Sequence, residues 1–177
     1  VDEVAQGLSP KGSVVAASYV ALPAYTYNNG TAGVGATITA SANGALVVDG
    51  ETITTLGTRI LVKNEATAAN NGVYVRTSTT VLTRATDYNT VPEVEAGDII
   101  CVTGGTLYDN TGWVQTSTVA TIGTDAIDFT QFSGAGTYLA GTGLTLTGNT
   151  FSVNAAQTQI TSVGTIGTGT WQGTLIS

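Results

Sequence analysis

The chain has 177 residues, with 12 acidic and five basic side chains, no histidine and one cysteine. A net charge of −7 without clustered Lys or Arg excludes a phosphate-gripping nucleic-acid surface, and the missing imidazole removes Ser-His-Asp and Cys-His catalysis and most zinc chemistry. With 42% hydrophobic but only 10% charged residues, a core is available beneath a surface that is polar without being ionic.

The opening "VDEVAQGLSPKG" has neither the basic nor the apolar region of a signal peptide, and its acidic lead predicts one helical turn at Asp2 to Leu8. Residues 1–11 read as a connector. No run of about 18 apolar residues occurs, so membrane insertion is not expected. A start without Met and an end at "GTLIS" read as a segment of a longer polypeptide.

Beyond residue 11 the pattern is of strands. "ATITA" (Ala36 to Ala40) alternates, "SANG" turns it into "ALVV", and Asp49-Gly50 makes a second turn before "ETITTL". These read as consecutive antiparallel strands. "TRILVKN" and "VYVRT" form the next hairpin, joined by a loop in which Asn71-Gly72 tolerates positive φ. "GDIICVT", "GWVQTS" and "AIDFTQF" repeat the pattern between turn residues. Cys101, flanked by β-branched residues, is expected as a small buried apolar residue of its strand. Trp113, where a strand begins, is expected in core or rim packing.

From Phe129 onward no Asp, Glu, Lys or Arg occurs, which places a boundary within Phe132 to Gly141. The fold expected is all-β: a small antiparallel β-sandwich or partly open barrel over 12–134, then an extended, β-rich fibrous segment over 135–177. In that segment the apolar anchors Leu144, Leu146, Phe151, Val153, Ile160, Val163, Ile166 and Trp171 are isolated among Gly, Thr, Ser and Asn. So few anchors would leave a lone copy disordered or collapsed onto another surface. A flexible linker is the alternative, against which stand Trp171 and the alternation "LTLTGNTFSV"; the anchors are expected to be contacts between copies wound about a shared axis.

The ordered stretches "LSPKGSVVAAS", "LPAYTYNNGTAGVGATITASANGALVVDG", "GTRILVKNEATAANNGVYV", "VLTRATDYNT", "EVEAGDIICVTGGTLYDNTGWVQT" and "FTQFSG" resemble a module of tail fibres and related tail proteins of bacteriophages and prophages. It covers about Ser9 to Gly134. "AGTGLTLTGNTFSV" and "ITSVGTIGTGTWQGT" are similar to fibre segments that follow that module, especially in phages of cyanobacteria. The resemblance implies a homotrimeric structural part of a virion tail or tail fibre, extracellular, supporting host attachment, with no catalytic residue to carry over. Its implied partners are copies of itself, other virion tail or baseplate proteins and a host surface glycan. Whether this module touches the receptor or only connects stays open. The alternative is a glycan- or receptor-binding module of a secreted or surface adhesin, with a fibre-borne depolymerase third.

Individual residues sharpen these readings. Tyr25, Tyr27, Asn28 and Asn29, at the start of a glycine-rich loop, form the candidate partner-contact loop, and their alternation is expected to expose one tyrosine and bury the other. The glycines of "GTAGVG" lack the Lys-Ser/Thr of a phosphate cradle, so neither nucleotide nor other cofactor is expected. Asp87, Glu93, Glu95 and Asp98 raise calcium binding and paired-carboxylate hydrolysis against plain solvated charge, and the last is preferred. Arg84 with Asp87 reads as a local ion pair, Tyr88 nearby as core or as a stacking platform for a sugar. Lys63, Asn64 and Glu65 raise an isopeptide crosslink, disfavoured because it needs all three buried.

Overall fold

The computed structural model describes residues 9–134, 138–147, 150–162, 165 and 167–168. The expected helical turn at Asp2 to Leu8 lies outside the described residues. The chain divides into two compact units, Val1–Thr137 and Tyr138–Ser177.

The first unit is all-β. The strands are β1 (Ser9–Pro10), β2 (Ala16–Ala17), β3 (Tyr25–Asn28), β4 (Thr37–Ala40), β5 (Leu46–Val48), β6 (Glu51–Ile53), β7 (Arg59–Val62), β8 (Gly72–Arg76), β9 (Val81–Arg84), β10 (Asp98–Cys101), β11 (Thr111–Gln115) and β12 (Phe129–Gly134). Single 3-10 turns occur at Ala68–Asn70 and Val91–Glu93. A six-stranded sheet runs β2-β7-β8-β9-β4-β3, a four-stranded sheet β1-β10-β11-β12, and β5-β6 is a separate hairpin.

The apolar runs "ILV" (Ile60 to Val62) and "VYV" (Val73 to Val75) explain why the six-stranded sheet is the middle layer. Successive side chains of a strand point to opposite faces, so a strand that is apolar at every position must be covered on both. Leu61 and Val73 enter a core with Ile100, Val102, Trp113, Ile122 and Ile127. Ile60, Val62 and Tyr74 enter a second core with Ile38, Leu82 and the hairpin's Val48 and Ile53.

The N-terminal segment ties the two sheets. Pro10 pairs with Ile99 in parallel and Ala16 with Ile60 in parallel, while between them Val14 N–H donates to the Cys101 carbonyl (2.9 Å) and Val15 N–H to the Arg59 carbonyl (2.9 Å). Lys11 and Asp98 form an ion pair at 3.2 Å, with Asp98 1% exposed. The expected all-β architecture is present, with one parallel strand added at an edge of each of these two sheets. A segment arriving from outside the hairpin order carries no turn signal, so nothing local in the sequence announces its direction. Ser9 and Pro10, read as connector, are a strand of the four-stranded sheet.

The "SANG" turn also differs from expectation. β4 pairs with β3 and β9, not with β5, so the chain leaves the sheet at Ala40 to build the separate hairpin. The second turn forms as read: Val48 pairs with Glu51, and Asp49 and Gly50 have φ of 49° and 82°, the positive values a two-residue hairpin turn requires. β7-β8 and β10-β11-β12 are antiparallel as expected. Cys101 lies in β10 but is exposed, correcting the expectation of burial: Ile100 and Val102 take the inward positions, which turns Cys101 outward.

Tyr74 and Tyr88 are fully buried. Burial raises both phenols above their ordinary pKa near 10, with Arg84's charge opposing in each case. A raised folded-state value means the unfolded chain sheds its protons first, so stability is whole below pH 10 and is lost as pH rises above it. The expected loss approaches about 1.4 kcal/mol per pH unit for each tyrosine, read by urea titrations between pH 8 and 11.5. A flat profile to pH 11.5 would contradict their burial.

Candidate functional site

The four clustered carboxylates do not converge. Asp87 forms a two-pronged pair with Arg59 (Nη1–Oδ1 3.0 Å, Nη2–Oδ2 2.9 Å) and accepts the Gly12 N–H. Glu93 closes a capping box with Thr90 at its 3-10 turn. Asp98 accepts the Glu95 N–H (2.8 Å) beside its pair with Lys11. Among the described residues no three His, Cys, Asp or Glu side chains come together to hold a metal.

Arg84 does not pair with Asp87, which corrects the local reading. β9 points Arg84 into the interior, where Nη1 donates to the Asn71 carbonyl (3.0 Å) and Nη2 to the Tyr74 hydroxyl (2.9 Å) and the Tyr27 hydroxyl (3.3 Å). Gly72, with φ of 143°, makes room for it: a Cβ there would stand 2.2 Å from Nη1. Tyr88, fully buried in the first core, presents no platform for a sugar.

The loop residues Tyr25, Tyr27, Asn28 and Asn29 come from β3 and the turn after it. Both tyrosines are half-buried against the second core, because residues two apart on a strand share a face; the expectation of one exposed and one buried is corrected. Tyr25 donates its hydroxyl to Glu65 (2.8 Å) and accepts from Asn70 Nδ2 (3.1 Å), and burial pushes its pKa up to about 12. Tyr27 donates to Asn29 Oδ1 (2.9 Å), while Asn29 Nδ2 donates to the Ile122 carbonyl (2.9 Å). Asn28 is exposed, and its Oδ1 accepts the Gly30 N–H (2.8 Å). Three of the four polar ends thus bond to residues of this chain beyond their own turn. Gly33, with φ of 102°, seats the loop: a Cβ would come within 2.5 Å of the Asn89 carbonyl and 2.9 Å of Ile122.

A second cluster joins Asp49, Lys63, Tyr108 and Trp113. Asp49 accepts the Leu107 N–H (2.9 Å) and the Tyr108 N–H (2.8 Å), which holds the segment after Cys101 onto the β5-β6 turn. Tyr108 meets Trp113 edge-on at 5.0 Å, and Lys63 Nζ stands 4.3 Å and 4.0 Å from the two ring centroids. Burial lowers the Lys63 pKa to about 8, with Asp49's charge opposing. Lys63 also donates to Asn64 Oδ1 (2.7 Å), whereas Glu65 accepts from Leu22 N–H and Tyr25 and forms no ion pair with Lys63. That separation leaves no isopeptide triad. Trp113 is core, as expected.

In the second unit, β13 (Leu144–Thr147) and β14 (Thr150–Val153) form an antiparallel hairpin in which Leu144 faces Val153 and Leu146 faces Phe151. Cross-strand partners share a face, so all four apolar anchors stand on one side, with Thr145, Thr147, Thr150 and Ser152 on the other. That side is largely open: Phe151 is 46% and Val153 73% exposed, and Leu144 is exposed too. Tyr138 meets Phe151 edge-on at 6.3 Å, and Ile160 is also exposed. Val163, Ile166 and Trp171 lie outside the described residues.

No family model, curated protein or solved structure matches the chain. Sequence reasoning missed the Asp49 clamp and the inward course of Arg84. Asp49 carried a partial signal, since a buried "DG" turn puts its carboxylate near any loop crossing it.

Proposed function

We propose that the chain is a non-enzymatic structural segment of a bacteriophage tail fibre or tail-associated fibre, working as a homotrimer. Residues 138–177 carry the assembly, and the 9–134 module joins the fibre to other tail or baseplate proteins in support of host adsorption. The observation that carries the reading is the one-sided β13-β14 hairpin. A lone two-stranded hairpin is marginal in water, and an open apolar face of Leu144, Leu146, Phe151 and Val153 calls for a cover. Two further copies supply one with the same side chains. The absence of Asp, Glu, Lys and Arg after Asp128 suits that geometry, because symmetry sets identical residues side by side and a desolvated like-charge ring would be costly.

Light scattering on the full chain and on a chain ending at Thr137 tests this. The full chain is expected as a trimer and the shortened one as a soluble monomer. A trimer that survives the truncation would move assembly to the first unit, and a monomeric full chain would end the trimer reading.

A further inference from the structure

The second core opens at one end into a cleft of about 240 Å³, between the six-stranded sheet and the segment from Ala42 to Leu46. Its walls are mostly aliphatic: Leu22, Ile38, Leu46 and Leu82, with the ring of Tyr25 at one side. The Tyr25 hydroxyl is already engaged by Glu65 and Asn70, so it offers little to a sugar. One charged side chain lines the cleft, Arg76, and no Asp or Glu does. Arg76 is 6% exposed and forms no ion pair among the described residues. Its one side-chain hydrogen bond there runs from Nη2 to the Thr79 carbonyl (3.0 Å), and Nε has no partner among them.

A guanidinium so far removed from water with so few bonds is costly, and it has donors to spare for a planar anion. Apolar walls plus a lone buried cation define an apolar body with one anionic head. We infer that this cleft binds a small monocarboxylic acid, its carboxylate on Arg76 and its hydrocarbon portion against Ile38, Leu46 and Leu82. The volume is below the roughly 300–1,000 Å³ of pockets for drug-sized ligands, which limits the occupant to about six to ten non-hydrogen atoms. This inference is independent of the trimer reading.

The probe is hexanoate, titrated into the isotope-labelled full chain and followed by amide shifts. Saturable shifts confined to the cleft residues are expected, with binding weakened about tenfold or more by Arg76→Gln. Hexan-1-ol, which keeps the hydrocarbon and drops the charge, should bind at least about tenfold more weakly. Ala42→Trp keeps Arg76 but fills the cleft from its exposed rim, and should abolish the shifts; it decides the matter should Arg76→Gln fail to fold. Hexanol binding as well as hexanoate, shifts away from the cleft, or no saturation by 20 mM (about the millimolar limit of a specific small ligand) would each overturn the inference.

Discussion

Arg84→Ala lowers the unfolding free energy of the first unit by about 4 kcal/mol, a large part of the 5–15 kcal/mol typical of a domain. Three acceptors lose their donor: the Asn71 carbonyl and the hydroxyls of Tyr74 and Tyr27. The Asn71 carbonyl is left buried without a partner, at roughly 1–3 kcal/mol; the two hydroxyls lose one bond each, roughly 0.5–1.5 kcal/mol, while still donating to Asn70 and Asn29, and the emptied volume adds a cavity cost. Against this stands relief of a fully buried cation that has no carboxylate partner among the described residues. A second variant isolates the cavity. Arg84→Met loses the same charge and the same three bonds but fills most of the space, so it should be more stable than Ala by the cavity cost alone, about 1–2 kcal/mol. Urea denaturation followed by Trp113 fluorescence measures both; an Ala variant within about 1 kcal/mol of wild type would show that the buried charge costs what its bonds return.

Asp49→Ala is the second large effect, also about 4 kcal/mol, because one residue does two jobs. Its carboxylate holds the N–H groups of Leu107 and Tyr108, and hydrogen bonds to a charged group contribute roughly 1.5–3 kcal/mol each. Its φ of 49° is a conformation in which alanine is strained by roughly 1–2 kcal/mol. Two variants separate the jobs: Asp49→Gly relieves the backbone and loses the clamp, while Asp49→Asn tolerates the backbone and keeps one acceptor. The expected order of stability is wild type, Asn, Gly, Ala. The near-UV circular dichroism of Trp113 should weaken along that series as Tyr108 loosens from it. Lys63 provides a further reading, since Asp49's charge holds its pKa up; without it the value falls below about 8. Gly and Ala variants of equal stability would show that the turn conformation contributes nothing.

How much of this was legible before folding depends on the range of each interaction. Strand identity and the Asp49-Gly50 turn are local: alternation, β-branched residues and positive-φ chemistry act within a few residues, so "ETI", "RILV", "GVYVR", "DIIC" and "GWVQ" could be read directly. The alternation of Leu144 to Val153 was likewise legible as β character, but its pairing was not: the expectation is an extended segment, and only the structure folds it into the β13-β14 hairpin. The parallel docking of Ser9–Pro10 and Ala16–Ala17 was not legible either, because their partners lie some 40 or more residues away and no turn records the pairing. Nor was the fate of Arg84. Proximity in sequence suggested Asp87, but strand periodicity sends Arg84 inward with Tyr74 and leaves Asp87 to Arg59.

The sequence by itself determined the all-β class, the uncharged final stretch and the exclusion of imidazole chemistry, because composition and period-two patterning depend on no distant contact. Only the tertiary structure decided which side chains share a face or a cavity: the Asp49 clamp on Leu107 and Tyr108, the seat of Lys63 on two aromatic rings, and Arg76 alone in an apolar cleft. Those groups meet because sheet layering carries separate segments to one place, and layering is set by the balance of burial over the whole chain.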